Sequence, residues 1–279
     1  MPNPIFSNML SRYEMRTKDE KQNATHEVMQ EIALAALYRA GFFDRAAFYG
    51  GTCLRILYGL QRFSEDMDFS LLQADESFHL ENYFDAIIAE FKAIGREITI
   101  TRKEKKTQTN VESAFLKDTT EIYNLQFTTE RNVKIKIEVD TQPPAGFATE
   151  HKLLMLPFSF MVRCYTLSDL YAGKMHALLF RNWRNRVKGR DWYDFEWYVR
   201  NNIPLNFEHL LQRTAQINAI SKNDFTKETF KQLLKGRILK TDINAVKNDV
   251  RPFIKNPAEM DVWSTEYFLQ VVDMIQFKQ

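Results

Sequence analysis

The sequence predicts an α+β fold, with a mixed β-sheet flanked by helices on the N-terminal side and a helical bundle on the C-terminal side. Three patterns support this prediction. An apolar run ends at two glycines and continues at helical spacing over residues 46–59, and residues 132–140 alternate apolar and charged side chains. Beyond Thr166, apolar residues recur mainly at helical spacing. We therefore expect one domain over residues 1–165 and a helical domain over residues 166–279.

The N-terminal elements are predicted in chain order. Residues 26–42 have apolar side chains at helical spacing, and Gly41 is the expected end of this helix. Residues 46–59 predict a strand, a glycine turn and a helix, and residues 63–72 predict a strand paired with the first one. A helix is expected over about residues 77–93. The further strand-like segments are residues 97–103, 111–116, 123–128 and 132–140.

The rest of the chain is predicted to be helical. Its expected helices cover residues 168–181, 191–200, 207–216, 226–234, 243–251 and about 260–277. The sequence contains no internal repeat and no low-complexity segment, so a helical bundle is the expected arrangement.

The composition limits the class of protein. The chain has 279 residues, of which 44% are hydrophobic and 13% aromatic, enough for a substantial core. No apolar stretch approaches the ~20 residues of a membrane helix, and no cleavable signal is recognisable. Cys53 and Cys164 are the only cysteines and lie far apart in sequence, so neither a disulfide framework nor a thiolate metal site is indicated. We expect a cytoplasmic protein that does not contact membranes.

Charge points to phosphate-bearing partners only locally. The formal net charge of the whole chain is +2. Between Arg181 and Arg190, however, five basic residues occur without an acidic one, and Trp183 and Trp192 lie alongside. Such a strip can hold phosphates and stack bases, which favours RNA as a partner.

Two glycines lie where the first predicted strand turns into a helix. Gly50 and Gly51 allow the backbone to approach a phosphate closely, and the N–H groups at the start of the helix attract it. A purely structural turn is the alternative explanation for the Gly50-Gly51-Thr52 sequence.

Asp66 and Asp68 lie in the next predicted strand. Residues two apart in a strand point to the same face, so both carboxylates project together. Two close carboxylates repel each other unless a cation lies between them, and Mg²⁺ is the natural occupant when substrate phosphates complete its shell. A solvated acidic strand edge is the alternative, although the flanking phenylalanines and leucines indicate a covered strand.

A third carboxylate is expected from the strand at residues 132–140. Glu138 lies on its charged face, and Asp140 follows two residues later on the same face. Three acids at the same metal ions would form a two-metal site for in-line displacement at phosphorus. A solvated sheet face shared with Lys134 and Lys136 is the alternative, and the sequence does not distinguish Glu138 from Asp140.

Cations recur in the C-terminal half. Lys174 and Arg181 are seven residues apart on one predicted helix, so they are nearly aligned on one face and suited to a triphosphate. A solvated basic face is the alternative. Asp191 follows closely and either takes part in the chemistry, caps the next helix or pairs with Arg190.

Four motifs occur in order over about 150 residues. They are FYGGTCLRILYGLQRFSEDMDFSLL at residues 48–72, KIEVD at 136–140, DLYAGKMHALLFR at 169–181 and KGRDWYDFEWYV at 188–199. In these motifs the chain resembles the AbiEii/AbiGii family of toxins from bacterial toxin–antitoxin systems. The resemblance covers more than half of the chain.

The resemblance implies a minimal nucleotidyltransferase fold whose helical domain completes the active-site cleft. It implies transfer of a nucleotidyl group from an NTP to tRNA, other RNA or protein, with Mg²⁺ or Mn²⁺ held by Asp66, Asp68 and Glu138. These three acids, Lys174 and Asp191 would be catalytic. A cognate antitoxin and a role in abortive infection are also implied. The residues implied to bind the nucleotide are Gly50, Gly51, Thr52, Arg55, Lys174 and Arg181.

Two other functions remain open from the residues alone. A Mg²⁺-dependent nuclease would use Asp66, Asp68 and Glu138 but would need neither the glycine turn nor an NTP. A binding protein that kept the fold and lost the chemistry is the second. The presence of both Asp66 and Asp68 argues against it, because a decayed site would often have lost one of them.

Overall fold

The computed structural model describes residues 4–102, 120–128, 133–181, 187–218 and 220–279. The chain forms two compact units. The sheet unit contains the chain up to Gly59, Phe63–Pro143 and Thr149–Cys164, and the helical unit contains Leu60–Arg62, Pro144–Ala148 and Tyr165–Gln279. The α+β class predicted from the sequence is confirmed. The strand predicted at residues 111–116 lies outside the described residues.

One sheet runs through the sheet unit. Its described strands are β1 (Ala46–Tyr49), β2 (Asp66–Leu71), β3 (Ile98–Arg102), β4 (Thr120–Phe127), β5 (Lys134–Asp140), β6 (Thr149–Leu154) and β7 (Phe160–Tyr165). Their order across the sheet is β3-β4-β5-β2-β1-β7-β6. The predicted pairing of the strands on either side of the glycines is confirmed, because β1 and β2 are antiparallel neighbours. β2 also pairs in parallel with β5, which brings the predicted acids together.

The helix at residues Lys18–Arg39 is the longest described in the sheet unit, and it packs against several other elements of that unit. The helices of this unit are α1 (Pro4–Leu10), α2 (Lys18–Arg39), α3 (Gly50–Tyr58) and α4 (Phe84–Ala93). α2 begins well before the predicted start at residue 26, because Thr17 and Glu20 form a capping box in which each side chain accepts from the other's backbone N–H. From Ala24 to Leu37 almost every residue of α2 is buried, since the helix packs against both α4 and β5.

Two parts of the sheet unit differ from the sequence-based prediction. The helix predicted over residues 77–93 is a 3₁₀ turn at Leu80–Tyr83 followed by α4. Ser77 donates its N–H and hydroxyl to Asp75, at 2.8 and 2.6 Å, and this turn keeps the segment before Leu80 out of the helix. β6 and β7 have no predicted counterpart. The sequence TEHKLL of β6 lacks the apolar alternation by which a strand is recognised. In the structure, none of its residues is fully buried.

The helical unit contains the six helices predicted for it. They are α5 (Leu167–Phe180), α6 (Gly189–Arg200), α7 (Phe207–Asn218), α8 (Lys227–Leu239), α9 (Ile243–Val250) and α10 (Thr265–Asp273). α5 packs against α6, α7 and α8, and α6 packs against α9 and α10. α10 is shorter than predicted, because the chain after Asp273 leaves the helix and pairs Phe277 with Leu205. Among the described residues, every helix is too short or too polar to cross a bilayer.

The first turn of α6 lies unusually close to α9. Gly189 donates its N–H to Asp249 Oδ2 at 2.8 Å, and a Cβ at this position would overlap the carbonyl of Val246 and lie 2.9 Å from Val250 Cγ2. Substitution of Gly189 by alanine is therefore expected to destabilise the protein by about 1–3 kcal/mol through overpacking. The measurement is the free energy of unfolding in urea.

Gly236→Ala is the matched control for Gly189→Ala. Gly236 lies inside α8, and a Cβ there would meet nothing within 4 Å. Because alanine is the better helix former, this control should be more stable than the parent by about 0.5–1 kcal/mol. Equal stability of the two variants would show that α6 and α9 can separate at no cost.

Candidate active site

The register of two parallel strands brings three predicted acids to one sheet face. Asp68 of β2 lies directly beside Glu138 of β5, and Asp66 lies directly beside Lys136. The alternate residues of both strands, such as Met67 and Ile137, are fully buried on the opposite face. The three carboxylates therefore project from the partly exposed face of the sheet unit.

Lys136 holds a positive charge between two of these carboxylates. Its Nζ lies 3.2 Å from Asp66 Oδ2 and 2.5 Å from Glu138 Oε1. Burial favours the neutral amine, but the charges of Glu138 and Asp66 outweigh it and raise the pKa of Lys136 above its ordinary value. Two of the acids thus converge on a cation, and the donor set is made of the carboxylate oxygens that Mg²⁺ prefers. The oxygen donors suit a divalent metal ion by their chemistry, but the three carboxylates do not all lie within 4.8 Å of one another, and a metal ion would have to displace the ammonium of Lys136.

The strand register places the two candidates for the third acid differently. Glu138 is the direct neighbour of Asp68, whereas Asp140 is paired with Ser70. Asp140 also accepts the backbone N–H of Gln142 at 3.0 Å, so its carboxylate forms the turn that follows β5. Of the two acids, Glu138 therefore lies nearer to Asp68 in the register, and its role as a metal ligand stays a prediction.

The glycine turn is packed against one of the acids. Gly50 has a φ of +82° and opens α3, and a Cβ on it would overlap the carboxylate of Asp68. Thr52 is buried, and its hydroxyl donates to the backbone carbonyl of Asp66. Thr52 therefore ties the start of α3 to the start of β2. Gly51 follows Gly50 in the first turn of α3, where the backbone N–H groups have no partner within the helix.

α2 holds the beginnings of both acidic strands. The side-chain amide of Gln30 donates to the backbone carbonyls of Ser64 and Glu65, at 3.1 and 3.0 Å. One helical turn earlier, His26 Nε2 lies 3.0 Å from the carbonyl of Lys134 at the start of β5. Sequence reasoning gave these two α2 residues no role. Their spacing of four residues on one helix face was the available signal.

Arg55 is engaged within the sheet unit. Its Nε donates to Glu27 Oε2 at 2.8 Å, and its guanidinium lies 4.5 Å from the centre of the Phe63 ring. Its side chain is only 13% exposed. The ion pair with Glu27 thus gives Arg55 a structural role within the sheet unit. The nucleotide contact implied for Arg55 stays a prediction.

The predicted residues of the helical unit form a buried network of charges. Lys174 Nζ lies 2.6 Å from Asp191 Oδ1 and 2.8 Å from Asp194 Oδ2. Arg62 donates from Nε and Nη2 to the two carboxylate oxygens of Asp194, each at 2.6 Å. Two cations and two anions therefore compensate one another away from water.

The acids of this network are held ionised. Burial favours their neutral forms, but the charge of Lys174, followed by those of Lys188 and Arg181, holds the pKa of Asp191 below its usual range. Burial also favours the neutral form of Asp194, but the charges of Arg62 and Lys174 outweigh this effect. The pKa of Asp194 is therefore lowered as well. Lys174 is consequently fixed between two carboxylates. Asp191 contacts Lys174, whereas the alternative was a pair with Arg190.

Arg62 and Asp194 are the members of this network that sequence reasoning missed. Asp194 lies three residues after Asp191 on α6, so their shared helix face was a visible signal. Arg62 precedes the Phe-Ser-x-Asp-x-Asp segment, and its partner is 132 residues away in sequence, which no local pattern indicates.

The predicted basic strip is only partly described. Arg181 does not continue the helix with Lys174, because α5 ends at Phe180 and Arg181 has an extended backbone with φ −70° and ψ 123°. Its N–H still bonds to the carbonyl of Ala177, so Arg181 caps the helix, and its alignment with Lys174 stays a prediction. Trp183, Arg184 and Arg186 lie outside the described residues.

Among the described residues, the group of three possible metal ligands whose atoms come within 4.8 Å of one another lies elsewhere in the sheet unit and does not include Asp66, Asp68 or Glu138. Ligand atoms of His79, Glu81 and Glu121 lie within 4.8 Å of one another. Both carboxylates are already paired, since Arg102 lies 3.2 Å from Glu81 and 3.0 Å from Glu121. The hydroxyl of Tyr123 also donates to each of them at 2.7 Å. Arg102 thus balances these carboxylates as Lys136 balances Asp66 and Glu138, and none of the predicted site residues belongs to this group.

Comparisons with solved structures place the fold. MenT4, a nucleotidyltransferase toxin from Mycobacterium tuberculosis H37Rv, is similar with a TM-score of 0.62 and 16% identity, over 96% of this chain and 88% of that one. JHP933 from Helicobacter pylori has a TM-score of 0.51 and 18% identity, over 91% and 90% of the two chains. A putative nucleotidyltransferase from H. pylori has the same TM-score and identity, over 91% and 92%. At these identities the likeness shows a shared fold.

Sequence comparison settles the family. No curated protein matches the chain. The profile of the family described as nucleotidyl transferase AbiEii toxin, type IV toxin–antitoxin system, matches residues 32–271, which is most of the chain. The resemblance seen in the four motifs is thereby confirmed, and this chain belongs to the AbiEii family of nucleotidyltransferase toxins.

Proposed function

We propose that this chain transfers a nucleotidyl group from an NTP to a hydroxyl group of an RNA or protein acceptor, using Mg²⁺ bound by Asp66, Asp68 and Glu138. The observation that carries the proposal is the register of β2 and β5, which places Asp68 beside Glu138 and puts Asp66 on the same face. The turn at Gly50 lies against the carboxylate of Asp68. The ammonium of Lys136 lies 3.2 Å from Asp66 and 2.5 Å from Glu138, and a metal ion would displace it.

When bound, Mg²⁺ neutralises the triphosphate and stabilises the attacking and leaving oxygens of an in-line displacement. The acceptor oxygen forms a bond to the α-phosphorus while the bond to the oxygen that bridges to the β-phosphorus breaks. Pyrophosphate leaves, and the hydroxyl proton is released to water. Gly50 and Gly51 are proposed to bind phosphate oxygens through the N–H groups at the start of α3. Thr52 positions this turn through its bond to the carbonyl of Asp66.

Lys174 is proposed to bind phosphate oxygens, and Asp191 to act through Lys174. The two aspartates within 2.8 Å of its Nζ restrict Lys174 to one position, so its charge is placed before a substrate arrives. Arg181 is proposed as a further phosphate contact, since it is exposed at the end of α5.

The biological role is proposed from the family. Membership in a family of type IV toxin–antitoxin systems supports growth inhibition in the cytoplasm and a cognate antitoxin as partner. Arg181, Lys188 and Arg190 lie close together in sequence and favour RNA, such as tRNA, over protein as the acceptor.

The test of the proposal is incubation of the purified chain with each of four α-³²P-labelled NTPs, Mg²⁺ and total tRNA. Label is expected in RNA or protein, and Asp68→Asn is expected to abolish it. Glu65→Gln is the matched control. Glu65 is an exposed acid just before β2, and its substitution removes the same negative charge as Asp68→Asn. Transfer by Glu65→Gln but not by Asp68→Asn would support the proposed site.

Two outcomes of the same experiment would overturn the proposal. Cleavage of the RNA that needs Mg²⁺ and Asp68 but no NTP would identify a nuclease. Absence of label with every NTP, together with no NTP binding in calorimetry, would identify a non-catalytic binding protein.

Substitution of Lys136 by methionine is expected to strengthen divalent-metal binding by about tenfold. The ammonium occupies the point at which Asp66 and Glu138 converge, and a metal ion must displace it. A charge-assisted hydrogen bond contributes enough to account for one factor of ten. The measurement is calorimetric titration with Mn²⁺.

Lys134→Met is the control for Lys136→Met. Lys134 lies on the same face of β5 and is exposed, but it precedes Lys136, the first residue of β5 that pairs with β2. Its removal changes the net charge equally and should leave the Mn²⁺ affinity unchanged. Equal effects of the two substitutions would mean that Lys136 acts only through overall charge.

A further inference from the structure

The helical unit contains a cavity with a basic lining. It has a volume of about 50 Å³, is partly open to solvent and lies where α5 ends, α6 begins and α8 ends. Its polar lining consists of Arg181, Lys188, Asp191, Arg237 and Thr241. Three cations therefore face the cavity and one acid does.

The charges around the cavity leave an excess of positive charge. Asp191 is already matched by Lys174, whose Nζ lies 2.6 Å from it. In the part of the chain that the structure describes, no ion pair joins Arg181 or Arg237 to a carboxylate. The Nη2 of Arg237 donates to the carbonyl of Arg181 at 3.0 Å, which fixes the guanidinium at the cavity wall. Its other N–H groups remain for a ligand.

Lys188 is the third cation in the lining of the cavity. Burial lowers its pKa to about 8, and the neighbouring charges of Arg181, Lys174 and Arg190 add to this effect against the opposing charge of Asp191. An ammonium destabilised by burial and by neighbouring cations gains from an anion placed beside it.

We infer that this cavity binds a phosphate group through Arg181, Lys188 and Arg237. Its volume of about 50 Å³ is well below the ~300–1,000 Å³ of pockets that hold whole small-molecule ligands, which suits one phosphate group better than a whole nucleotide. Two guanidinium groups and one ammonium are the usual partners of phosphate oxygens. The inference rests on the proposed function for the source of the phosphate, which is the triphosphate of the NTP or the backbone of an RNA acceptor.

The test is calorimetric titration of the full chain with tripolyphosphate in metal-free buffer, where the carboxylates of the sheet unit have no metal ion to bridge to the probe. Arg237→Gln and Lys188→Met are each expected to bind tripolyphosphate at least about tenfold more weakly than the parent. Lys188→Arg restores a positive charge and should recover most of the affinity. Thermal unfolding of each variant shows whether it is folded.

Lys240→Met is the matched control. Lys240 is exposed, lies three residues beyond Arg237 and does not line the cavity. The Lys240→Met substitution removes the same positive charge, and this variant should bind tripolyphosphate as the parent does. Parent-like binding by folded Arg237→Gln and Lys188→Met would overturn the inference, as would an equal loss in Lys240→Met.

The source of the phosphate follows from two further titrations, one with an NTP and one with a single-stranded RNA of about 12 nucleotides. Loss of NTP binding in Arg237→Gln identifies the triphosphate, and loss of RNA binding identifies the acceptor backbone. Asp68→Asn separates this inference from the proposed function. That variant should bind tripolyphosphate normally even though it transfers no nucleotide.

Discussion

Replacing Arg62 by methionine is expected to lower the free energy of unfolding by about 3–5 kcal/mol, the usual effect of removing one partner of a buried ion pair. The side chain of Arg62 is 2% exposed and that of Asp194 is 0% exposed. Both carboxylate oxygens of Asp194 accept from Arg62 at 2.6 Å. Without the guanidinium, Asp194 keeps the ammonium of Lys174 at 2.8 Å, and its charge is only partly compensated.

The stability of Arg62→Met can be measured by urea unfolding beside two controls. Lys235→Met breaks the exposed pair with Asp273 in the same unit and should change stability by less than about 1 kcal/mol. The double variant Arg62→Met/Asp194→Leu should regain part of the loss, because replacing both partners of a buried pair by apolar residues is often neutral. Losses that simply add in the double variant would contradict a direct interaction between Arg62 and Asp194.

The effect of Arg62→Met should also depend on pH. Burial raises the pKa of Asp194, but Arg62 and Lys174 outweigh burial and lower it. A carboxyl group with a lowered pKa contributes stability above its unfolded pKa, about 3.9, and loses it as the pH falls further. The difference between the parent and Arg62→Met should therefore be largest at neutral pH and shrink below about pH 4.

The local elements of the acidic site could be predicted from the sequence. The strand, the turn at Gly50 and the following helix are each encoded by neighbouring residues, and the alternation through Asp66 and Asp68 places both on one face. Strand pairing depends on partners distant in sequence. For this reason the sequence did not show that the β2–β5 register places Glu138, and not Asp140, beside Asp68.

Charge partners were the least predictable feature of the chain. The lysines of β5 looked like part of a solvated face, yet the ammonium of Lys136 lies between two acids because β2 is its neighbour. Arg62 and Asp194 meet only in the folded chain. Arg181 looked like part of the Lys174 helix, but α5 ends one residue earlier. In each case a tertiary contact or a helix end, which periodicity does not encode, decides what the side chain contacts.

Replacing Gly50 by alanine is expected to reduce nucleotidyl transfer at least about 100-fold while the protein stays folded. The new Cβ would overlap the carboxylate of Asp68, whose Cγ would lie 2.9 Å away and whose Cβ would lie 3.1 Å away. Because Asp68 is fixed in β2, its carboxylate must rotate away from the face it shares with Glu138. A displacement of about 1 Å in such a group is enough for a loss of this size.

Gly59→Ala separates this displacement from backbone strain. Gly59 also has a positive φ, +76°, but a Cβ there would meet nothing within 4 Å. Both variants should lose about 1–2 kcal/mol of stability, because alanine is strained in the left-handed region. Only Gly50→Ala should lose transfer activity and, in calorimetry, affinity for Mn²⁺. Equal activity of the two variants would mean that the carboxylate of Asp68 tolerates displacement, and Asp68 could then not be a metal ligand whose position limits the reaction.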